Sequence, residues 1–408
     1  MTDDPLLADD TPVAGEALDP GGRVPRRRPV ALGLAGLLLV VGIGGFVLTR
    51  DDAPPPPRPD IPLDVWAPYW ALDDSLPEFA GRVGSMREVS PFWFNATGVD
   101  TIEVDVNATN GAAAELEEFV QIARDADVAL VPSIVDAMPA GGMAAVIADP
   151  ATRTRHVETI RAFASDLDAD GIDIDYEQFA FADGTDTWAT TRPNWVEFIA
   201  ELGAGLDADG RTLTVSIPPV YDAGRTAESG FWVYDYGGIA PHVDRIRIMA
   251  YDFSVGEPGP IAPLEFVERS IDGAIEATGD PDKLVLGLAA YGRNWPTGEN
   301  GPCPADELQG RTSVTARSVD DLLDRRGGTP EFDEVTGEYR FTYELEVTDG
   351  VTTCIQTRTV HYVDGDGVRL RMDLAREYRL NGVSLWALGF EDDDVWAEIL
   401  PTVGDGSS

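Results

Sequence analysis

The chain has 408 residues, 72 acidic against 30 basic, and a formal net charge of −42. Hydrophobic residues at 43% and charged residues at 25% exclude a fully disordered chain, and so acidic a surface excludes nucleic acid, whose phosphates need clustered Lys and Arg. Two cysteines and three histidines without a CxxC, HExxH or phosphate-cradling glycine loop leave no metal site and no cofactor to expect.

Residues 1–28 open with an acidic, aperiodic stretch that reads as a disordered tail. Residues 29–49 then carry no charge and are mostly Leu, Val, Gly, Ala and Ile. About 20 such residues, rising about 1.5 Å each, cross a bilayer core of about 30 Å. Arg23, Arg26, Arg27 and Arg28 precede the run, so a single-pass helix with a cytoplasmic N-terminus and everything after Thr49 outside the cell is expected. A cleaved signal peptide is the rival reading. The run exceeds the usual apolar length of about 7–15 residues, and no small-x-small site closes it. Residues 50–62 hold six prolines and read as a stiff spacer that keeps the following domain off the membrane.

From Leu63 short apolar strands alternate with amphipathic stretches. Strands are expected at Val65–Tyr69, Val89–Phe94, Val128–Ile134, Gly171–Glu177, Thr212–Ile217, Arg245–Tyr251, Leu284–Ala290 and Val383–Leu388. Helices are expected at Ala113–Arg124, Arg153–Leu167, Asn194–Leu206, Pro263–Ala277 and Met372–Tyr378. Eight β units alternating with helices predict a (β/α)8 TIM barrel over residues 63–402, ahead of a short disordered tail at 403–408. A doubly wound open sheet is the alternative, but its phosphate-binding first turn is missing. Asp100–Asn107 reads as an extra hairpin after the second strand. Residues from about 295 to 364 read as a small, mostly β insertion between strands seven and eight, with turns at Asp349–Gly350 and Asp364–Gly367. Both cysteines fall inside it. Outside the cytoplasm a Cys303–Cys354 disulfide is permitted and would staple the insertion, with two free thiols as the alternative.

The most informative stretch is Asp170-Gly171-Ile172-Asp173-Ile174-Asp175-Tyr176-Glu177. A strand turns alternate side chains to opposite faces, so Asp173, Asp175 and Glu177 share one face and Ile172, Ile174 and Tyr176 the other. In a barrel the apolar face packs on the helices, and the acids line up toward the rim where active sites sit. Crowded, partly buried carboxyls cannot all ionise; at least one stays protonated near neutrality, which is what cleaving a glycosidic bond requires. A calcium loop fits poorly, since its sixth-position glycine is missing and the spacers are bulky. A solvated acidic strand is the plain alternative, against which the buried pattern of Ile172, Ile174 and Tyr176 argues.

Here the sequence resembles glycoside hydrolase family 18, the chitinase-like hydrolases. Asp170–Glu177 matches the family's DGxDxDxE. Met249-Ala250-Tyr251-Asp252 resembles its M-x-Y-D after strand six, Lys283–Arg293 its KLxLGxxxYGR, and Gly382–Gly389 its strand-eight G-x-x-x-W. Residues Val383–Trp396 and Ser90–Phe94 look most like the bacterial spore-germination and cell-wall-hydrolase branch. Ser133-Ile134-Val135-Asp136 departs from the family's S-x-G-G, keeping only the serine, which points away from chitin itself.

The resemblance implies retaining hydrolysis in which the sugar's own 2-acetamido group attacks C1. Glu177 would be acid and then base. Asp175 would hold the acetamido N–H, and Asp173 would share a proton with Asp175. Tyr251 would donate to the acetamido carbonyl, Asp252 would bind sugar or orient that group, and Trp386 would floor the −1 sugar. Met249, Tyr69, Trp70, Trp93, Tyr291 and Trp295 are further candidates for the groove, with barrel core as the plain alternative. His156 reads as structural and Asp170 as a strand-entry residue. The partner expected is a polysaccharide containing N-acetylglucosamine, peptidoglycan before chitin, acted on by a monomer at the cell envelope. A non-catalytic sugar-binding protein of the same fold is the second reading, and an envelope scaffold the third.

Overall fold

A computed structural model describes residues 61–105 and 113–400. The expected membrane helix at 29–49, its flanking tail and the proline spacer lie outside the described residues, as does the tail beyond Leu400. Among the described residues no helix is long and apolar enough to cross a membrane.

Eight parallel strands close on themselves: β1 (Leu63–Pro68), β2 (Glu88–Gly98), β3 (Ser133–Asp136), β4 (Gly171–Asp175), β5 (Thr212–Ile217), β6 (Arg245–Ile248), β7 (Leu284–Ala289) and β8 (Gly382–Trp386). Each pairs with its neighbours in chain order, and β8 returns to β1 through Leu63↔Val383, so no edge is left open. β7, Leu-Val-Leu-Gly-Leu-Ala, is buried throughout, as a strand covered on both faces must be. Long helices at Pro150–Asp166, Trp188–Ala208 and Leu264–Thr278 pack their apolar sides onto the barrel. The first starts sharply because Asp149 accepts from the Ala151 and Thr152 N–H groups and Pro150 presets the first turn.

Several expected elements shift. The third strand splits: Ala129–Leu130 pairs briefly with the start of β2, and Ser133–Asp136 is the barrel strand. β4 and β6 stop short of Glu177 and Tyr251, which lie in the loops that follow. Thr101–Val104 runs back antiparallel on β2, the extra hairpin. Asp364–Gly367 is no turn. Asp364 accepts from the Gly367 N–H and caps the helix Gly365–Glu377, which therefore begins earlier than its apolar spacing suggests.

Between β7 and β8 an antiparallel five-stranded sheet is ordered Thr312–Thr315, Tyr291–Asn300, Thr353–Tyr362, Glu338–Thr348 and Glu331–Asp333. Val314, Val319, Phe341, Leu345 and Val360 form its separate core. Cys303 and Cys354 are joined across 51 residues with their Cα atoms 4.9 Å apart. In the chain-entropy view, closing such a loop contributes about 4 kcal/mol. Cys303→Ser/Cys354→Ser is expected to lose most of that in denaturant unfolding, with the insertion melting before the barrel; coincident, unshifted transitions would show that the bridge contributes nothing.

Candidate active site

The acid row begins inside the barrel. Asp173 is fully buried, and four donors converge on it: Trp66 Nε1 at 3.0 Å, Ser133 Oγ at 2.6 Å, Ser216 Oγ at 2.7 Å and Arg247 Nη1 at 3.0 Å. They come from β1, β3, β5 and β6, so the carboxylate ties four staves together.

Asp175, at the end of β4, is 3% exposed, and its Oδ1 has no hydrogen-bond partner. Burial pushes its carboxyl well above the usual range. The charges of Glu177 and Asp173 add to this, and Arg247 opposes it. Glu177 stands at the N-terminus of the single turn Gln178–Phe181 and is half-buried. Burial raises it to about 8, with the charge of Asp252 as the next cause.

On the far side of the row, Tyr251 is half-buried just past β6. Burial raises its hydroxyl far above the ordinary value, as do the charges of Asp175, Glu177, Asp252 and Asp173, in that order. It therefore stays a neutral phenol, able to donate, within range of those charges. Space for its ring comes from Gly287 on β7. A Cβ there would lie 2.9 Å from Tyr251 Cε1 and 2.8 Å from the Ile248 carbonyl oxygen. Gly287→Ala is expected to displace the ring and lower kcat about tenfold with the fold intact; an unchanged kcat beside an unchanged circular dichroism spectrum would remove Tyr251 placement from the mechanism.

Asp252 adopts a left-handed backbone, φ 58°, which aims its side chain at strand seven's continuation. It accepts from the Tyr291 hydroxyl and, at 2.7 Å, from Arg293 Nη2. Trp386 ends β8 half-buried, 5.9 Å from Trp66 and 4.9 Å from Phe92 between ring centroids, with Trp70 and Phe390 at 6.4 and 6.5 Å. Tyr69 meets Trp70 edge-on at 4.8 Å, and Trp70 is 43% exposed. An aromatic wall thus borders the acids, as sugar faces require. Met249, the residue after β6, is half-buried.

Two candidates leave the groove. Trp93 is 1% exposed and packs against Phe119 in the helical layer, because Glu88, Ser90 and Phe92 take the inner face of β2 and alternation turns Trp93 outward. Trp295 is 2% exposed, and its Nε1 donates to the Val255 carbonyl. His156 is structural, as expected: Nε2 lies 2.7 Å from the Tyr176 hydroxyl and Nδ1 2.9 Å from the Val99 carbonyl oxygen. Asp170 binds the Leu130 N–H at the strand entry. Residues that sequence reasoning missed are Arg247, Phe92, Phe390 and Asp136. The last is 2% exposed, and burial, with a contribution from Asp183, raises it to about 7. Among the described residues no group of His, Cys, Asp and Glu could hold a metal ion.

A row of buried acids with a proton available near neutrality, a phenol donor and an aromatic wall is hydrolytic equipment for a sugar. Comparison with known proteins agrees. The model of the family described as glycosyl hydrolases family 18 matches residues 92–391. YdhD of Bacillus subtilis (strain 168), named as a sporulation-specific glycosylase, is 29% identical over 247 residues, 60% of this chain and 52% of its own length. The cortical fragment-lytic enzyme of the same organism is 23% identical over 209 residues, 50% of this chain and 45% of its own. The chain thus spans about half the length of these curated relatives. A chitinase from Chromobacterium violaceum ATCC 12472 superposes with a TM-score of 0.68 at 24% identity, covering 83% of this chain and 98% of that one. The spore cortex-lytic enzyme SleL of Bacillus megaterium QM B1551 gives 0.66 at 16%, covering 84% and 74%. The chain belongs to glycosyl hydrolases family 18.

Proposed function

We propose that the chain hydrolyses β-glycosidic bonds next to N-acetylglucosamine in a cell-wall polymer, peptidoglycan before chitin, by a retaining reaction assisted by the substrate's acetamido group. The observation that carries this reading is Glu177, half-buried, raised to about 8 and set beside Asp175, Asp252 and Tyr251. At neutral pH it holds the proton that the leaving oxygen needs. As the bond breaks, the acetamido oxygen of the same sugar attacks C1 and forms an oxazolinium ion. Asp175 accepts from the acetamido N–H and faces the positive charge. Tyr251 donates to the acetamido oxygen and turns it toward C1. Water, deprotonated by Glu177, then opens the ring from the face that the leaving group vacated. Trp386 lies under the sugar ring, with Tyr69 continuing the wall. Asp252, held by Tyr291 and Arg293, keeps a charge near Glu177 that delays its ionisation.

Peptidoglycan is preferred because the relatives include a cortical fragment-lytic enzyme and a spore cortex-lytic enzyme, and because Asp136 stands where chitinases of the family carry glycine. The uncharged run at 29–49 supports an anchor that presents a monomeric barrel to the wall outside the cell. Digesting purified peptidoglycan and chitin in parallel, with product masses read out, tests the reading. Fragments with intact N-acetylglucosamine reducing ends from peptidoglycan are expected; release from neither polymer refutes it.

A further inference from the structure

The loop after β6 carries Tyr251 and Asp252, and from Val255 to Ala262 its backbone is bonded by side chains of the insertion and of the helix that follows it. Glu338 opens the insertion strand Glu338–Thr348 and is 1% exposed. Its Oε2 accepts from the Ile261 N–H at 2.8 Å and its Oε1 from the Ala262 N–H at 2.6 Å. Arg371, also 1% exposed, donates to the Ala262 carbonyl, to Glu338 Oε1 at 3.2 Å, and to the carbonyls of Gly337 and Gly367 at 2.9 and 2.7 Å. Trp295 Nε1 and Arg311 Nη1 converge on the Val255 carbonyl at 2.9 and 2.7 Å. The loop then closes on itself, because the Phe253 N–H donates to the Ile261 carbonyl at 2.8 Å. A buried ion pair is costly, and here it is spent on two loop residues rather than on the barrel.

We propose that Glu338 is a positioning residue of the active site: from the insertion it fixes the far end of the loop after β6 and, through the bridge from Ile261 to Phe253, the placement of Asp252 and Tyr251. The inference rests on the reaction proposed above, which gives those two residues their roles. Asp252 has a left-handed backbone, a conformation that a residue other than glycine keeps only where its surroundings hold it. Tyr291 and Arg293 hold its side chain, and the bridge one residue further on holds its backbone. A buried N–H needs an acceptor, and at Ile261 and Ala262 that acceptor is Glu338. Glu338 itself is enclosed, so it acts on the chemistry through the loop.

The test sets amide hydrogen exchange, read by mass spectrometry on peptides covering 253–262 and β7, beside the pH profile of kcat and KM on a fluorogenic β-glycoside of di-N-acetylchitobiose. Wild type is compared with Glu338→Ala, which removes both acceptors, and with Glu338→Gln. Glutamine keeps an oxygen for Ala262 and Arg371 but turns an amide N–H toward that of Ile261. In Glu338→Ala, exchange at 253–262 is expected to quicken about tenfold while β7 stays as it was. At neutral pH kcat should fall about 30-fold with KM within about twofold. The alkaline limb should drop by about 0.5 pH unit, because Asp252 no longer keeps its charge beside Glu177. Glu338→Gln should lie between variant and wild type. A merely structural role would quicken β7 as well and leave the limb in place, since the fraction that stays folded titrates as wild type. That result overturns the proposal, as does unchanged exchange at 253–262. Should Glu338→Ala not fold, the isosteric Glu338→Gln carries the same readouts at about half the size. Failure of wild type to cleave the glycoside counts against the proposed reaction alone, since exchange at 253–262 still decides whether Glu338 holds the loop.

Discussion

Glu177→Gln is expected to lower kcat on peptidoglycan or chitin oligosaccharides by about 10³-fold, with substrate binding retained, because a positioned acid–base contributes about 10²–10⁴-fold and glutamine cannot give up a proton. The pH profile supplies an independent check. Glu177 must be protonated to act, and burial together with Asp252 holds it so up to about pH 8. Activity should therefore persist through neutrality and fall above about pH 8, where an unperturbed glutamate would already have failed near pH 4.5. Asp252→Asn removes the charge next in importance to burial, so the alkaline limb should move to lower pH. Stability carries the same signature with a definite sign. Between about pH 4.5 and 8 the folded chain keeps a proton on Glu177 that the unfolded chain gives up, so this group makes the fold less stable as pH rises through that window. Glu177→Gln should raise Tm at pH 8 and leave it unchanged at pH 4. Equal kcat in variant and wild type would remove Glu177 from the chemistry, whatever Tm does.

Period-two alternation carries much of this site, and where it ends the legibility ends with it. Ile172 and Ile174 do face the helices, and Tyr176 stacks on Phe198 at 5.9 Å, while Asp173 and Asp175 turn inward. Glu177 lies beyond the strand, and its neighbours come from the loop after β6, which no local pattern predicts. Arg247 was hidden in Arg245-Ile246-Arg247-Ile248, a run that reads equally well as a solvated strand. The signal that could have found it is long-range: inward arginines in a barrel demand buried acids, and Asp64, Glu88 and Asp173 occupy the same level on other strands. For Trp93 the core alternative holds: Glu88 and Ser90 bind Arg247 inside the barrel, so alternation puts Trp93 on the outer face, and the irregularity at Phe92–Phe94 brings Phe94 out beside it. Asp392 caps the helix Asp393–Ile399 by accepting from the Val395 N–H, so the acidic run there starts a helix, while Glu391 is buried.

Asp175→Asn is expected to cost about 10²-fold in kcat and to change how the remaining acids titrate. The carboxyl lies between two others, and its unpartnered Oδ1 is the acceptor that this reading assigns to the acetamido N–H. Asparagine matches its shape but can present an N–H there, turning an attraction into a clash of donors unless the amide flips. It also cannot supply the negative charge that faces the oxazolinium ion, and in a site screened from water such a charge is worth far more than in bulk. A substrate whose 2-acetamido group is replaced by hydroxyl separates these effects from simple packing. Wild type should discriminate strongly against it, and Asp175→Asn should discriminate much less, because the group that the residue reads is already absent. If the variant loses the same factor on both substrates, Asp175 is a structural carboxyl and the acetamido-assisted route loses its stabilising charge.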